Sequence, residues 1–159
     1  MRFTIYLVQQ ASVKQFNLTF ILIEMKNALL SGLVIGIFSG LWLLIMYKAG
    51  YNLEDSKASP YEYISVLIPI VGLLIAIKDY RDNYLGGKMG FLEALVQSFK
   101  ILIFGGILAV FAAIVFINYV SSGNNFEEFS GRMFGALLVG VISAFGVSLL
   151  YATNSEKVD

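Results

Sequence analysis

Any chemistry in this chain rests on carboxylates, amines, guanidinium groups, phenols and hydroxyls, because none of its 159 residues is His or Cys. That removes imidazole acid–base catalysis, thiol nucleophiles, disulfides and Cys/His zinc sites together. The remaining groups are densest in residues 77–100, IKDYRDNYLGGKMGFLEALVQSFK. Lys78, Arg81 and Lys88 are spaced to gather round the start of a following helix, whose unpaired N–H groups favour an anion; they are candidate ligands for a lipid phosphate headgroup. The plainer reading of the same cations is that they reach to the interface and fix topology, with Asp79 and Asp82 as company. Gly86-Gly87-Lys88 is no P-loop, since the flanking spacing and the following Ser/Thr are missing. From Phe91 to Lys100 the spacing is helical, with Leu92, Leu95, Val96 and Phe99 on one side and Glu93, Gln97 and Lys100 on another. Such an amphipathic stem suits docking, which makes Tyr80, Asp82, Phe91, Glu93 and Gln97 candidate partner-binding residues. Glu54-Asp55 and Glu127-Glu128 could share a divalent cation, but adjacent acids in short exposed loops are ordinarily solvated charge. No catalytic residue, metal ligand or cofactor is assigned.

The elements that carry these residues are membrane helices. The chain is 58% hydrophobic and 14% charged, against about 45–50% and about 25% for a soluble domain, so it lacks the polar surface that water requires. Its 11 basic and 11 acidic residues cancel, which argues against nucleic acid as a partner. A spanning helix needs about 20 mostly apolar residues, and four stretches approach that length: 28–47, 61–77, 101–120 and 133–152. The second contains Pro69, which removes a backbone donor and is expected to kink the helix. The expected fold is therefore all-α, a polytopic four-helix transmembrane bundle.

Orientation follows from the basic residues, because cytoplasmic flanks carry the excess. With both termini inside, Arg2, Lys14, Lys26, Lys78, Arg81, Lys88, Lys100 and Lys157 face the cytoplasm, against Lys48, Lys57 and Arg132 outside. Tyrosines at the span ends (Tyr47, Tyr51, Tyr61, Tyr63 and Tyr119; Tyr80, Tyr84 and Tyr151) agree as interfacial belts. The expectation is N-in/C-in, multi-pass, in a bacterial inner membrane. Residues 1–24 fit this plan poorly: Phe16, Leu18, Phe20 and Leu22 alternate with Asn17, Thr19 and Ile21, nearer a strand period than a helical one. No secretory signal is present there, and Met25-Lys26-Asn27 resembles a bacterial protein start. Residues 1–24 are accordingly an extension, a mis-assigned start or an interfacial tail, and 25–159 form the four-helix domain.

Apolar burial does little for association inside lipid, so small residues must let backbones approach. Gly32, Gly36 and Gly40 form a double GxxxG in the first span. Gly105, Ala109 and Ala113 repeat the device in the third, and Ala136, Gly140 and Ala144 in the fourth, continuing to Ser148. These rows serve packing within the bundle or a homodimer seam. Between them the spans offer few polar groups beyond Ser31, Ser39, Ser65, Ser143, Ser148 and Asn118, and such groups mostly bond the preceding turn's carbonyl. Proton-coupled transport, intramembrane proteolysis and lipid phosphotransfer are disfavoured accordingly.

Tyr80-Arg81-Asp82, then Gly86-Gly87-Lys88, then Phe91 and Ala94, after a short proline-bearing span, resemble the domain-of-unknown-function 4199 family of small bacterial membrane proteins. The resemblance runs from about Met25 to the C-terminus and is specific over 78–94. Where relatives tend to show Lys and Gly a few residues after that alanine, this chain has Val96 and Ser98, with Lys100 further on. The family implies a four-helix inner-membrane protein and no established activity. The expected function is a non-enzymatic accessory or scaffold subunit docking a membrane or cytoplasmic partner through 78–100; the alternative is binding or transport of an anionic lipid or small solute at a bundle cleft.

Overall fold

The computed structural model describes residues 2–50, 60–116, 118 and 126–152. They form four helices: α1 (Arg2–Lys48), α2 (Pro60–Tyr84), α3 (Phe91–Phe116) and α4 (Phe126–Tyr151). Each contains a segment long and apolar enough to cross a bilayer, namely Glu24–Lys48, Tyr63–Tyr84, Phe91–Phe116 and Met133–Tyr151. The protein is an all-helical, multi-pass integral membrane protein. Glu54, Asp55, Lys57, Tyr51, Tyr119 and Lys157 lie outside the described residues.

The helices outrun the apolar stretches that mark them in the sequence. Hydropathy measures a hydrocarbon crossing, whereas a helix continues as long as its backbone bonds do. α2 therefore reaches Tyr84 rather than Ile77, and α3 begins at Phe91 rather than Ile101. α1 begins at Arg2, so the alternation over residues 16–22 makes no strand. A lone strand there would leave a row of unpaired backbone groups, which a helix satisfies internally. α2 also continues through Pro69.

Register shows the arrangement. Gly32 faces Ile101, Phe104 and Gly105, Gly36 faces Gly105 and Leu108, and Gly40 faces Ala112, so α1 and α3 run parallel. Gly72 of α2 meets Ile35, and Ser65 Oγ donates to Met46 Sδ at 3.6 Å, so α2 is antiparallel to α1. Leu102 lies over Gly140, and the Phe91 and Phe145 rings sit 6.3 Å apart, which makes α4 antiparallel to α3. Among the described residues α1 and α4 do not pack together, so the order round the bundle is α1, α2, α4, α3, with α2 and α3 also touching across the middle. The core joins Ala28, Ile35, Leu73, Ala76, Ile77, Tyr80, Ala94, Ile101 and Val147. Large apolar side chains such as Val34, Phe38, Ile75, Ile107, Phe111 and Ile142 point outward, as a lipid solvent allows.

Hydroxyls inside the helices largely bond backward. Ser39 donates to the Ile35 carbonyl (2.9 Å), Ser143 to Val139 (2.6 Å) and Ser148 to Ala144 (2.6 Å), and the Asn118 amide donates to Ile114 (2.9 Å). Of the small-residue rows, Ala144 is buried, Ala109 and Ala113 are half-buried, and Ala136 is exposed.

Gly86 and Gly87 make the α2–α3 turn with φ of 62° and 85°. Gly87 N–H donates to the Arg81 carbonyl at 2.9 Å, satisfying one of the carbonyls that α2's end leaves open. A side chain at either position is strained by about 1 kcal/mol or more. Gly87→Ala should therefore lower the unfolding free energy in mixed detergent by about 1 kcal/mol. Gly135→Ala, a helical position with nothing within 4 Å of the added methyl, should leave it unchanged or raise it.

Candidate functional site

The polar residues of α3 turn inward. Glu93, Gln97 and Lys100 share one stripe at helical spacing, and that stripe meets the segment of α1 that begins at Glu24. Lys100 Nζ pairs with Glu24 Oε2 at 2.6 Å. Gln97 Nε2 donates to the Glu24 carbonyl at 3.2 Å and to Asn27 Oδ1 at 3.1 Å. Gln97 is 2% exposed, while Leu92 on the opposite side is 70% exposed and Val96 45%. The stem is thus amphipathic as its spacing predicts, but inside out. α1 covers the polar side, and the apolar side is left to lipid.

α3 starts on Gly90, whose carbonyl accepts from Ala94 N–H at 3.0 Å. Glu93 Oε2 reaches back toward the Gly90 N–H at a long 3.5 Å, the reciprocal half of a capping box, where the helix's positive end favours a carboxylate. From α2, Tyr80 enters the same junction, its ring stacked on Tyr84 with centroids 5.7 Å apart. Together Glu24, Tyr80, Gly90, Phe91, Leu92, Glu93, Val96, Gln97 and Lys100 line an open cleft of about 550 Å³. Two polar atoms in its walls have no hydrogen-bond partner among the described residues, Tyr80 Oη and Gln97 Oε1. The Glu24 carboxylate lies close enough to Tyr80 for its charge to act on the phenol, although no well-formed hydrogen bond joins them.

The structure separates the residues that the sequence groups. Tyr80, Phe91, Glu93 and Gln97 come together in the cleft. Tyr80, 1% exposed, and Gln97 are buried between helices. Lys78 and Lys88 are exposed, and neither lines the cleft. Arg81 is committed elsewhere, its Nε donating to Asp82 Oδ1 at 3.0 Å and its guanidinium lying 5.5 Å from the Tyr151 ring centroid. The cation of the cleft is Lys100, and the carboxylate paired with it is Glu24, which sequence reading sets aside with the N-terminal extension. The available signal is the spacing of Glu24 and Asn27 at i, i+3, which matches the polar stripe of α3 once the two helices run parallel. No group of three or more His, Cys, Asp or Glu side chains converges among the described residues.

No curated protein and no solved structure matches this chain. Its residues 30–133 match the family described as protein of unknown function (DUF4199), which takes in α2, the glycine turn and the whole of α3 with its polar stripe; the chain belongs to that family.

Proposed function

We propose that this is a non-enzymatic membrane protein that holds the polar head of an amphiphile in the cleft between α1, α2 and α3. One observation carries the reading: Tyr80 Oη and Gln97 Oε1 are buried, unpartnered, and belong to walls that continue into the outward-facing Leu92 and Val96. A buried polar atom without a partner costs about 1–3 kcal/mol, so a ligand supplying hydrogen bonds gains that increment on binding. Leu92 and Val96 give its chains an apolar track. The excess of Lys and Arg flanking this end supports N-in/C-in insertion, which puts the cleft in the cytoplasmic leaflet of a bacterial inner membrane. Membrane lipids are then the immediate partners. A second copy would have to use a surface other than Gly32 and Gly36, which α3 already covers.

A phospholipid carrying a photoreactive diazirine on its acyl chain, incorporated in proteoliposomes, tests the proposal. Label should concentrate on peptides containing residues 90–97, well above the outward faces of α4 near Phe134 and Ile142. Even labelling of all lipid-facing helices overturns it. The scaffold reading draws support from the exposed charges at Lys78, Asp82 and Lys88 round the α2–α3 turn. A partner seated there shields residues 90–97 in native membranes, so that label is low there and returns only after purification.

A further inference from the structure

We infer that the cleft selects a primary ammonium group, the headgroup chemistry opposite to the anion that Lys78, Arg81 and Lys88 suggest; the inference rests on the amphiphile-binding reading above. Its lining holds two carboxylates, Glu24 and Glu93, and one ammonium, Lys100, a formal charge of one negative. Lys100 and Glu24 neutralise each other at 2.6 Å. Glu93 is left with the long Gly90 contact of 3.5 Å. A phosphate entering here would meet an unneutralised carboxylate in surroundings where like charges are poorly screened.

The hydrogen-bonding inventory points the same way. A glutamine amide has two N–H donors and one carbonyl acceptor. Gln97 donates to the Glu24 backbone carbonyl and to Asn27 Oδ1, and because a backbone carbonyl only accepts, the orientation of the amide is fixed. Both donors are used, so the one group Gln97 has left for a ligand is the acceptor Oε1, buried and without a partner. Among the lining residues Tyr80 Oη is the other unpartnered polar atom, and it accepts as well as donates. Glu93 and Gln97 stand one turn apart on α3, about 5–6 Å between Cβ atoms, a gap that one small cation bridges. A primary ammonium carries three N–H donors and one positive charge, matching the three acceptors Glu93, Gln97 Oε1 and Tyr80 Oη and cancelling the charge of the lining. A quaternary ammonium matches the charge but donates nothing, and leaves Gln97 Oε1 unpaired.

The ammonium could belong to a lipid headgroup or to a free amine, and native mass spectrometry distinguishes them. The full chain is released from nanodiscs containing equal amounts of phosphatidylethanolamine, phosphatidylcholine and phosphatidylglycerol with identical acyl chains. Retained phosphatidylethanolamine should exceed phosphatidylcholine by roughly tenfold, the ratio that one unmade buried hydrogen bond represents. Glu93→Gln, a substitution at a half-exposed position, should abolish the preference, and Arg81→Ala should keep it. Gln97→Leu should abolish it too, but Glu93→Gln remains decisive if that variant fails to fold. Enrichment of phosphatidylglycerol, or equal retention of the ethanolamine and choline lipids, overturns the ammonium inference while leaving lipid binding intact. No retained lipid, with free ethanolamine raising the melting temperature of wild type but not of Glu93→Gln, supports the ammonium chemistry and overturns the lipid source. Neither retention nor an amine response overturns both.

Discussion

Gly32→Ala is expected to cost on the order of 3 kcal/mol of bundle stability, the top of the range for overpacking a tight site. The added methyl would lie 2.7 Å from Phe104 Cβ, 2.8 Å from Gly105 N and 2.8 Å from the Ile101 carbonyl oxygen. Two of those three atoms are backbone, so no side-chain rotation relieves the overlap and α1 must move away from α3. That displacement also pulls Glu24 and Asn27 off their partners on α3. Gly106→Ala provides the contrast, because a Cβ there meets nothing within 4 Å. It should leave stability unchanged or improve it by up to about 1 kcal/mol, through the better helix propensity of alanine. Unfolding midpoints in dodecyl maltoside titrated with sodium dodecyl sulfate give both values. Equal midpoints for the two variants would mean that α1 and α3 do not cross at Gly32.

The second large effect belongs to the Glu24–Lys100 pair. Its side chains are 17% and 28% exposed, so removing one partner leaves a charge that water reaches poorly. Breaking a fully buried pair costs about 3–5 kcal/mol; at this partial exposure Lys100→Met should cost about 2 kcal/mol. Adding Glu24→Gln should recover most of that loss, with a coupling of about 1–2 kcal/mol in the double-mutant cycle. A chain shortened to begin at Met25 should lose stability in the same measurement, because it has no Glu24. Strict additivity of Glu24→Gln and Lys100→Met would remove the pair from any account of the fold.

The four helices were legible because a run such as Ala28–Tyr47 has no use other than crossing lipid, and the double-glycine turn was legible from Gly86-Gly87. Positions in the glycine rows could be read as well, but not their register. Gly32 meets Gly105 and Gly40 meets Ala112 only because α1 and α3 run side by side and parallel, which no spacing within one helix states. The same missing fact hid the cleft. Without knowing that α1 extends over α3, the stripe of Glu93, Gln97 and Lys100 reads as one side of a docking stem, open to a partner. A water-based rule then assigns the two faces backwards, since in lipid the outward side of a helix is the apolar one. Lys78, Arg81 and Lys88 illustrate the limit of proximity in sequence. They lie within eleven positions of one another, yet Arg81 is turned to Asp82 and Tyr151.

The parallel α1–α3 contact also sets a schedule for biogenesis. Gln97 meets Asn27 across 70 positions of chain, and Lys100 meets Glu24 across 76. At about 5–20 residues per second, a ribosome needs roughly 4–14 s to add those 70 residues. From the completion of α1 at Lys48 until α3 follows, its glycine face stays uncovered by α3 and Glu24 stays without Lys100. Translation speed between Gly50 and Lys100 therefore governs how long that exposure lasts.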